Sequence, residues 1–224
     1  KIDRDDIENR LKNHYFDYVI CDIHALSLFN SMLDKLPGIQ LKLVIIDGED
    51  FPAKINPGSF VICRRETNGT DYSIPLPMSL PEEIFNRISS YKDNPKSYSI
   101  GFLGSVGKHS ESRYTLIEEI ASYYPDSLLQ AAPVSETEGK HPDERVGLDS
   151  YYDNLQRCRA VLTLRGAGYD TLRFWENAAC NALHVSETMP LFIPDDFEDK
   201  RDIIRFSDID QLRKVIDSHL SGSE

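Results

Sequence analysis

Two arginines and two glycines stand close together in the second half of the sequence, at Arg165, Gly166, Gly168 and Arg173. Arginine side chains neutralise phosphate oxygens, and glycines let a ligand approach the backbone closely. A short helix is predicted to begin directly after these glycines, and the free amides at a helix start favour an anion. Together, these residues predict a cradle for a diphosphate.

Glu176 follows Arg173 by three residues, so both side chains lie on one face of the predicted helix. A carboxylate at this position can accept hydrogen bonds from ribose hydroxyls, as acidic residues do in other nucleotide-binding βαβ units. A helical ion pair between Arg173 and Glu176 explains the same spacing. The spacing of Leu172, Trp175 and Ala179 predicts a second face, which packs on a sheet.

The segment from Arg159 to Glu187 provides the elements that must position these side chains. Asp170 or Thr171 is suited to cap the start of the helix, and Asn181 is suited to end it because asparagine tolerates left-handed backbone. The pattern is that of a βαβ unit, and ligands of open parallel sheets bind beyond the carboxyl ends of the strands. The predicted order is strand 159–164, loop 165–170, helix 171–180 and strand 182–186.

The stretch GAGYDTLRFWENAACNALHV, residues 166–185, resembles the donor-binding element of GT-B glycosyltransferases, particularly exostosin-like and CgeB-like proteins of the glycosyltransferase group 1 type. The resemblance implies that Arg165 and Arg173 bind the donor phosphates and that Glu176 binds the ribose. The loop residues between the two arginines are included in this donor site, namely Gly166, Gly168, Tyr169, Asp170 and Thr171.

The sequence departs from the family pattern at three positions. Asn181 stands where the family usually has glycine, and Leu183 stands where many members have proline. Retaining enzymes of this fold carry a second glutamate eight residues before the helix glutamate, and that position is Gly168 here. The resemblance therefore favours an inverting, metal-independent enzyme.

A second glycine-containing turn, Gly104-Ser105-Val106-Gly107, follows a predicted strand at 99–103. It fits neither the GxGxxG pattern nor the P-loop. In GT-B donor lobes, a glycine-rich turn at this place commonly faces the donor diphosphate. We therefore add Gly104, and Arg113 from the start of the next helix, to the predicted donor site.

An acidic turn, Asp47-Gly48-Glu49-Asp50, follows an aliphatic run at 41–46 that is typical of a strand in a parallel sheet. Such a turn can hold a general base, bind a cation or simply form a solvated, aspartate-capped turn. With the basic-ended strand SFVICRR at 59–65, it also resembles the first lobe of CgeB-like proteins. There the acceptor lobe supplies the base, and Asp47, Glu49 and Asp50 are the candidates.

Strands alternate with helices along the chain, which predicts an α/β fold. The resemblance implies a GT-B-like arrangement of two Rossmann-like lobes with parallel sheets. The predicted parts are an acceptor-side lobe at 1–91, a linker at 92–97 and a donor lobe at 98–224. Complete GT-B enzymes are usually longer than 224 residues, so we expect the N-terminal lobe to be abbreviated or truncated, and the chain has no starting methionine.

The net charge of −12 argues against a general nucleic-acid or anionic-membrane binder. The four cysteines form no CxxC pair, which favours buried thiols in a reducing, cytoplasmic compartment. The sequence predicts no transmembrane segment. We expect no metal site and no cofactor, and a nucleotide-sugar donor enters as a substrate.

These observations predict a glycosyltransferase that moves a sugar from a nucleotide-diphosphate-sugar donor to a hydroxyl of a glycan or polysaccharide acceptor. Two alternatives stay open: a nucleotide-sugar epimerase of the same fold, and a non-catalytic nucleotide-sugar-binding module of a larger protein. His184, in a predicted buried strand, is either a core histidine or a contact to the donor.

Overall fold

The computed structural model describes residues 3–34, 36, 42–55, 60–106, 111–133 and 147–222. The chain is an α/β protein with two parallel sheets, as predicted. It divides into two compact units, Lys1–Pro77 with Leu191–Pro194, and Met78–Pro190 with Asp195–Glu224. Residues 92–97, predicted as a linker, lie within the second of these units. Gly107, the last residue of the predicted glycine-containing turn, lies outside the described residues.

The first unit has one sheet of four parallel strands in the order β1-β2-β3-β4. Each strand lies beside the next strand along the chain. The elements are α1 Arg4–Lys12, β1 Tyr18–Asp22, α2 Leu26–Leu33, β2 Lys42–Asp47, β3 Phe60–Arg64 and β4 Ile74–Pro75.

Burial alternates along β2, although its sequence is a continuous aliphatic run. Leu43 and Ile45 are buried against apolar side chains of α1 and α2, including Leu11 and Phe29. Val44, which points to the other face because successive strand residues alternate, is only partly buried. Both described helices of this unit therefore pack on the same face of the sheet.

The second unit has five parallel strands in the order β6-β5-β7-β8-β9. The strands are β5 Tyr98–Val106, β6 Leu128–Pro133, β7 Cys158–Thr163, β8 Leu183–Glu187 and β9 Ile204–Phe206. The helices are α3 Glu82–Ser89, α4 Glu111–Tyr123, α5 Leu148–Gln156, α6 Leu172–Ala178 and α7 Ile209–Ser221.

The chain runs from β5 to β6 on one side and then returns to β7 on the other side, so the strand order reverses between β5 and β7. Pairing of β5 with β7 ends at Gly101 and Val161, although β5 continues to Val106. Ligands of open α/β sheets bind beyond the carboxyl ends of the strands at such a switch point. We call this place, between the ends of β5 and β7, the β5–β7 crevice.

Helices cover both faces of the second sheet. On one face, Ile100 and Leu162 pack with apolar residues of α4 and α7. On the other face, Leu103 and Val161 pack with residues of α3 and α5. Gly101 lies directly against the Cys158 side chain, and a larger residue at this position would collide with it.

Candidate functional site

Asp170 anchors the loop between β7 and α6. Its side chain is fully buried, and its Oδ2 accepts the Met78 N–H at 2.6 Å while Oδ1 accepts the Trp175 Nε1–H at 2.9 Å. The N-cap of α6 is Thr171, whose hydroxyl makes no capping hydrogen bond. Thr171 is thus one of the two residues predicted for the N-cap, although its side chain does not cap the helix, and the Asp170 carboxylate joins the loop to Met78 and Trp175.

The buried face of α6 also differs from the prediction. Leu172 is exposed, whereas Phe174 and Asn177 are buried. Asn177 turns this face towards β7 by donating from Nδ2 to the Leu162 carbonyl at 3.0 Å. α6 has only seven residues, and its orientation is set by the Asn177 hydrogen bond and not by the spacing of its apolar residues.

Asn181 does not end α6 through left-handed backbone, which occurs at other residues. Its N–H donates to Gln156 Oε1 at 2.9 Å, and its side-chain amide donates to the Lys92 carbonyl at 3.2 Å. The residue thus ties the turn after α6 to neighbouring segments of the same unit.

Arg113 reaches from α4 to the ends of two strands. Its Nη1 donates to the Ser105 carbonyl at 2.6 Å, and its Nη2 donates to the Leu164 carbonyl at 2.9 Å. Ser105 is near the end of β5, and Leu164 directly follows β7. The buried guanidinium group therefore bridges the β5–β7 crevice.

Arg173 brings a second guanidinium group to the same place. Its Nε donates to the Leu103 carbonyl at 3.1 Å, and its guanidinium carbon lies 5.2 Å from the centre of the Phe102 ring. The guanidinium carbon of Arg113 lies 5.4 Å from the same ring. Burial and the nearby Arg173 lower the pKa of Arg113 to about 10, and Glu187 acts in the opposite direction.

Two buried polar atoms in this region have no hydrogen-bond partner within the described residues: Arg113 Nε and Thr171 Oγ1. Both side chains border Gly166, where an added Cβ would lie 3.2 Å from Arg113 Nη2 and 3.8 Å from Thr171 Cγ2. An added Cβ at Gly104 would lie 2.8 Å from Arg173 Nη2. Glycine at both positions therefore lets the arginines approach the backbone.

Arg165 is exposed, unlike Arg113. Its guanidinium carbon lies 4.6 Å from the centre of the Tyr169 ring, and its backbone N–H donates to the carboxylate of Glu187. The loop closes on itself because the Gly166 N–H donates to the Gly168 carbonyl at 3.0 Å. Glu187 is thus an acidic side chain close to both Arg165 and Arg113.

Glu176 lies among tyrosines of α5. Its Oε1 accepts the Tyr152 hydroxyl at 2.7 Å, and its Oε2 accepts the Tyr151 hydroxyl at 3.1 Å. Burial, together with Glu176, raises the pKa of both tyrosines. The contacts of Arg173 and Glu176 within the described residues do not include an ion pair between them. Tyr151 stands between the two, because its hydroxyl also interacts with Arg173.

The structure thus brings Gly104, Arg113, Gly166 and Arg173 together at one crevice. Sequence reasoning assigned no role to Phe102, whose ring supports both arginines. Alternate residues of a strand lie on the same face of the sheet. Phe102 stands two residues before Gly104, and this spacing could have placed its ring beside the predicted site.

The three acids of the turn after β2 have different partners. Asp47 is 1 % exposed, and its Oδ2 accepts the Arg64 Nε–H and the Ala53 N–H, both at 3.0 Å. Asp50 forms an ion pair with Arg65. Glu49 is paired with a histidine, because its Oε1 lies 2.7 Å from His24 Nε2.

His184 is a buried histidine of β8. Its Nε2 lies 2.9 Å from Thr163 Oγ1, and its ring packs with those of Phe174 and Phe197 at centroid distances of 5.2 and 6.4 Å. Burial, with a smaller contribution from Arg205, lowers the pKa of His184 to about 3. These contacts are those of a neutral core histidine.

Below pH 6.5, the unfolded chain binds a proton at this histidine, whereas the folded chain does not until about pH 3. The contribution of His184 to stability is therefore lost as the pH falls through this interval. Between pH 7 and pH 5, we expect this loss to lower the free energy of unfolding by about 2 kcal/mol. His184→Gln cannot titrate, so its denaturant midpoint should depend less on pH; equal profiles for both proteins would contradict this prediction.

The chain is an α/β protein, and the second of its parallel sheets carries one buried arginine, Arg113, and one half-buried arginine, Arg173, at its switch point. The chain matches no protein-family model, and no curated protein is similar enough to count as a match. In the part of the chain that the structure describes, no helix is long and apolar enough to cross a membrane. That same part contains no group of three or more His, Cys, Asp or Glu side chains placed to hold a metal ion.

Proposed function

We propose that this chain is a glycosyltransferase that binds the diphosphate of a nucleotide-sugar donor at the β5–β7 crevice of its second unit. One observation carries the proposal: the guanidinium groups of Arg113, which is buried, and Arg173, which is half-buried, both lie against the Phe102 ring at the switch point of a parallel sheet. Within the described residues, they donate to backbone carbonyls, and Arg173 also interacts with the Tyr151 hydroxyl; neither guanidinium group is hydrogen-bonded to a carboxylate there. Two cationic groups held in this way favour a multiply charged anion.

The same groups suit a transfer reaction in which a nucleoside diphosphate leaves. Negative charge develops on the leaving diphosphate as the bond to the sugar breaks, and fixed guanidinium groups stabilise that charge. Arg113 Nε and Thr171 Oγ1 are further polar atoms without a partner in the described residues, and Gly166 lies between them. Arginines can provide this charge stabilisation, so the proposed reaction is metal-independent.

Glu176 is proposed as the ribose ligand. Each of its oxygens already accepts one tyrosine hydroxyl, and each ionised carboxylate oxygen can accept a second hydrogen bond. Tyr151 and Tyr152 thereby hold the carboxylate in a fixed orientation. Arg173 precedes it by three residues in the same helix, and Tyr151 contacts both side chains, so the proposed phosphate and ribose ligands lie near each other.

Transfer to a hydroxyl acceptor also needs a group that takes a proton. We propose His24 as this base, with Glu49 orienting its ring through the 2.7 Å contact at Nε2. Both side chains are exposed, with 73 % of His24 and 46 % of Glu49 accessible. Asp47 is less suited because it is buried and held by Arg64. The attack of the acceptor on the opposite face of the sugar would invert its configuration.

The test is a thermal-shift screen of the full chain with UDP, GDP, CMP, ADP, dTDP and their sugar conjugates. A ligand that binds only the folded state adds about 2.7 kcal/mol of stability at 100 times its Kd. We expect one base to stabilise the protein, and its sugar conjugate to release the nucleoside diphosphate when a hydroxyl acceptor is supplied.

The three functional classes predict different results in this screen. Binding with transfer supports the glycosyltransferase, and binding without transfer to any acceptor supports a nucleotide-sugar-binding module. Conversion of the sugar conjugate to its epimer without acceptor supports an epimerase. Absence of stabilisation by every nucleotide would overturn the proposed donor site.

A further inference from the structure

A cavity of about 340 Å³ lies in the second unit at the amino-terminal ends of β7 and β8. This is the end of the sheet opposite to the β5–β7 crevice. The lining of the cavity includes Arg159, the second residue of β7, and Leu183, the first residue of β8. The crevice lies beyond the other end of β7, at Leu164. A strand of this length separates the two places by roughly 17 Å, at about 3.3 Å per residue. The cavity is therefore not part of the proposed donor site.

Three basic side chains line this cavity: Lys96, Arg159 and His219. Lys96 is fixed because its Nζ donates to the Gln156 carbonyl at 2.8 Å and to the Asn181 carbonyl. An ammonium group has three N–H donors, so one remains for a ligand. Burial lowers the pKa of Lys96, and Cys180 and Cys158 act in the opposite direction.

Arg159 is exposed, and the described residues contain no hydrogen-bond or ion-pair partner for its guanidinium group. His219 adds a third basic side chain from the last turn of α7. The lining residues that the structure describes include no carboxylate, although the chain as a whole has a net charge of −12. Basic groups that converge without an acid in an acidic protein favour a small anion.

The rest of the lining is mainly apolar and comes from Cys180, Ala182 and Leu183, with Asn181 between them. This wall suits the carbon part of a ligand whose anionic group contacts the basic side chains. The volume is near the lower limit for small-molecule sites, which is too small for a whole nucleotide sugar. We propose that this cavity binds a small organic phosphate, with the phosphate on Lys96 and Arg159 and the carbon part on Leu183.

The experiment is an NMR titration of the ¹⁵N-labelled full chain with inorganic phosphate and, separately, with phenyl phosphate at constant ionic strength. The amide signals of Asn181, Ala182 and Leu183 report on the cavity, whereas those of Gly104 and Gly166 report on the crevice. We expect both probes to shift the cavity signals. Phenyl phosphate should bind several-fold more tightly because its ring contacts the apolar wall.

Arg159→Gln should raise the Kd measured from the cavity signals roughly tenfold, because it removes a charge-assisted contact. Lys214→Gln removes an exposed charge from α7, the helix that carries His219, and should leave this Kd unchanged. Arg159 is an exposed side chain, so the variant should keep the spectrum of the folded protein.

Cavity signals that stay unshifted at saturating phosphate would overturn the proposal, and so would an unchanged Kd in Arg159→Gln. Equal affinity for the two probes would identify inorganic phosphate as the ligand, and tighter binding of phenyl phosphate would identify an organic monoester. Arg173→Ala should affect only the crevice signals. Failure of the donor site therefore leaves the cavity signals unchanged, and failure of the cavity leaves the crevice signals unchanged.

Discussion

Replacing Arg173 by alanine is expected to raise the Kd for the nucleoside diphosphate roughly a hundredfold. The guanidinium group can form two charge-assisted hydrogen bonds to phosphate oxygens, and each contributes about 1.5–3 kcal/mol. The stability of the folded protein should fall much less. Within the described residues, the side chain donates to the Leu103 carbonyl, interacts with the Tyr151 hydroxyl and packs on the Phe102 ring. Isothermal titration measures the Kd, and denaturant unfolding measures the stability.

Arg201→Ala is the matched control for this variant. Arg201 belongs to the same unit, is exposed and is paired with Glu198 and Asp202. Its removal should change the Kd not at all and the stability very little, because exposed ion pairs contribute little to stability. If Arg173→Ala lost binding only in proportion to a loss of folding, Arg173 would be a structural residue and the proposed phosphate role would be wrong.

Replacing Asp47 by alanine is expected to destabilise the first unit by about 3–5 kcal/mol. The Asp47 carboxylate is buried and accepts hydrogen bonds from the Ala53 backbone and from Arg64, so its loss removes the group that holds the turn and the strand end together. Two units need not unfold together, so the measurement is native-state hydrogen exchange at the amides of β1 and β2.

Asp50→Ala provides the comparison for Asp47→Ala, because it removes an acid from the same turn. The Asp50 side chain is 40 % exposed, and a solvated ion pair contributes about 1 kcal/mol or less. Exchange in β1 and β2 should therefore change little. Equal protection in wild type and Asp47→Ala would show that Asp47 does not hold this turn, and would return it to the candidates for the base.

The order of helices and strands could be predicted from sequence because it depends on local periodicity and on turn residues. The hydrogen-bond partners of the acidic turn could not be predicted from sequence, because they depend on which strand lies beside β2. Pairing places Arg64 directly beside Asp47, 17 positions away in sequence. No local pattern distinguishes an aspartate with such a partner from one without.

The residues of the proposed donor site show the same difference between features that local sequence predicts and features that depend on tertiary contacts. Glycines near Arg165 and Arg173 were visible in the sequence because a tight loop needs them. The orientation of α6 was not visible in the sequence. It is set by the side-chain amide of Asn177, which donates to the end of β7, and not by the spacing of the apolar residues. Similarly, one-sided packing of β2 depends on helices elsewhere in the chain, and its aliphatic run gives no indication of it.

Arg113 is immobilised by two backbone carbonyls before any ligand arrives. A free arginine side chain loses up to about 2 kcal/mol of rotamer entropy when it is fixed, and here folding has already ordered it. In the proposed donor site, Arg113 would therefore act as a rigid group that selects ligands by the position of their charge and does not adapt to them. Changes that loosen the end of β5 would lower affinity without touching the ligand.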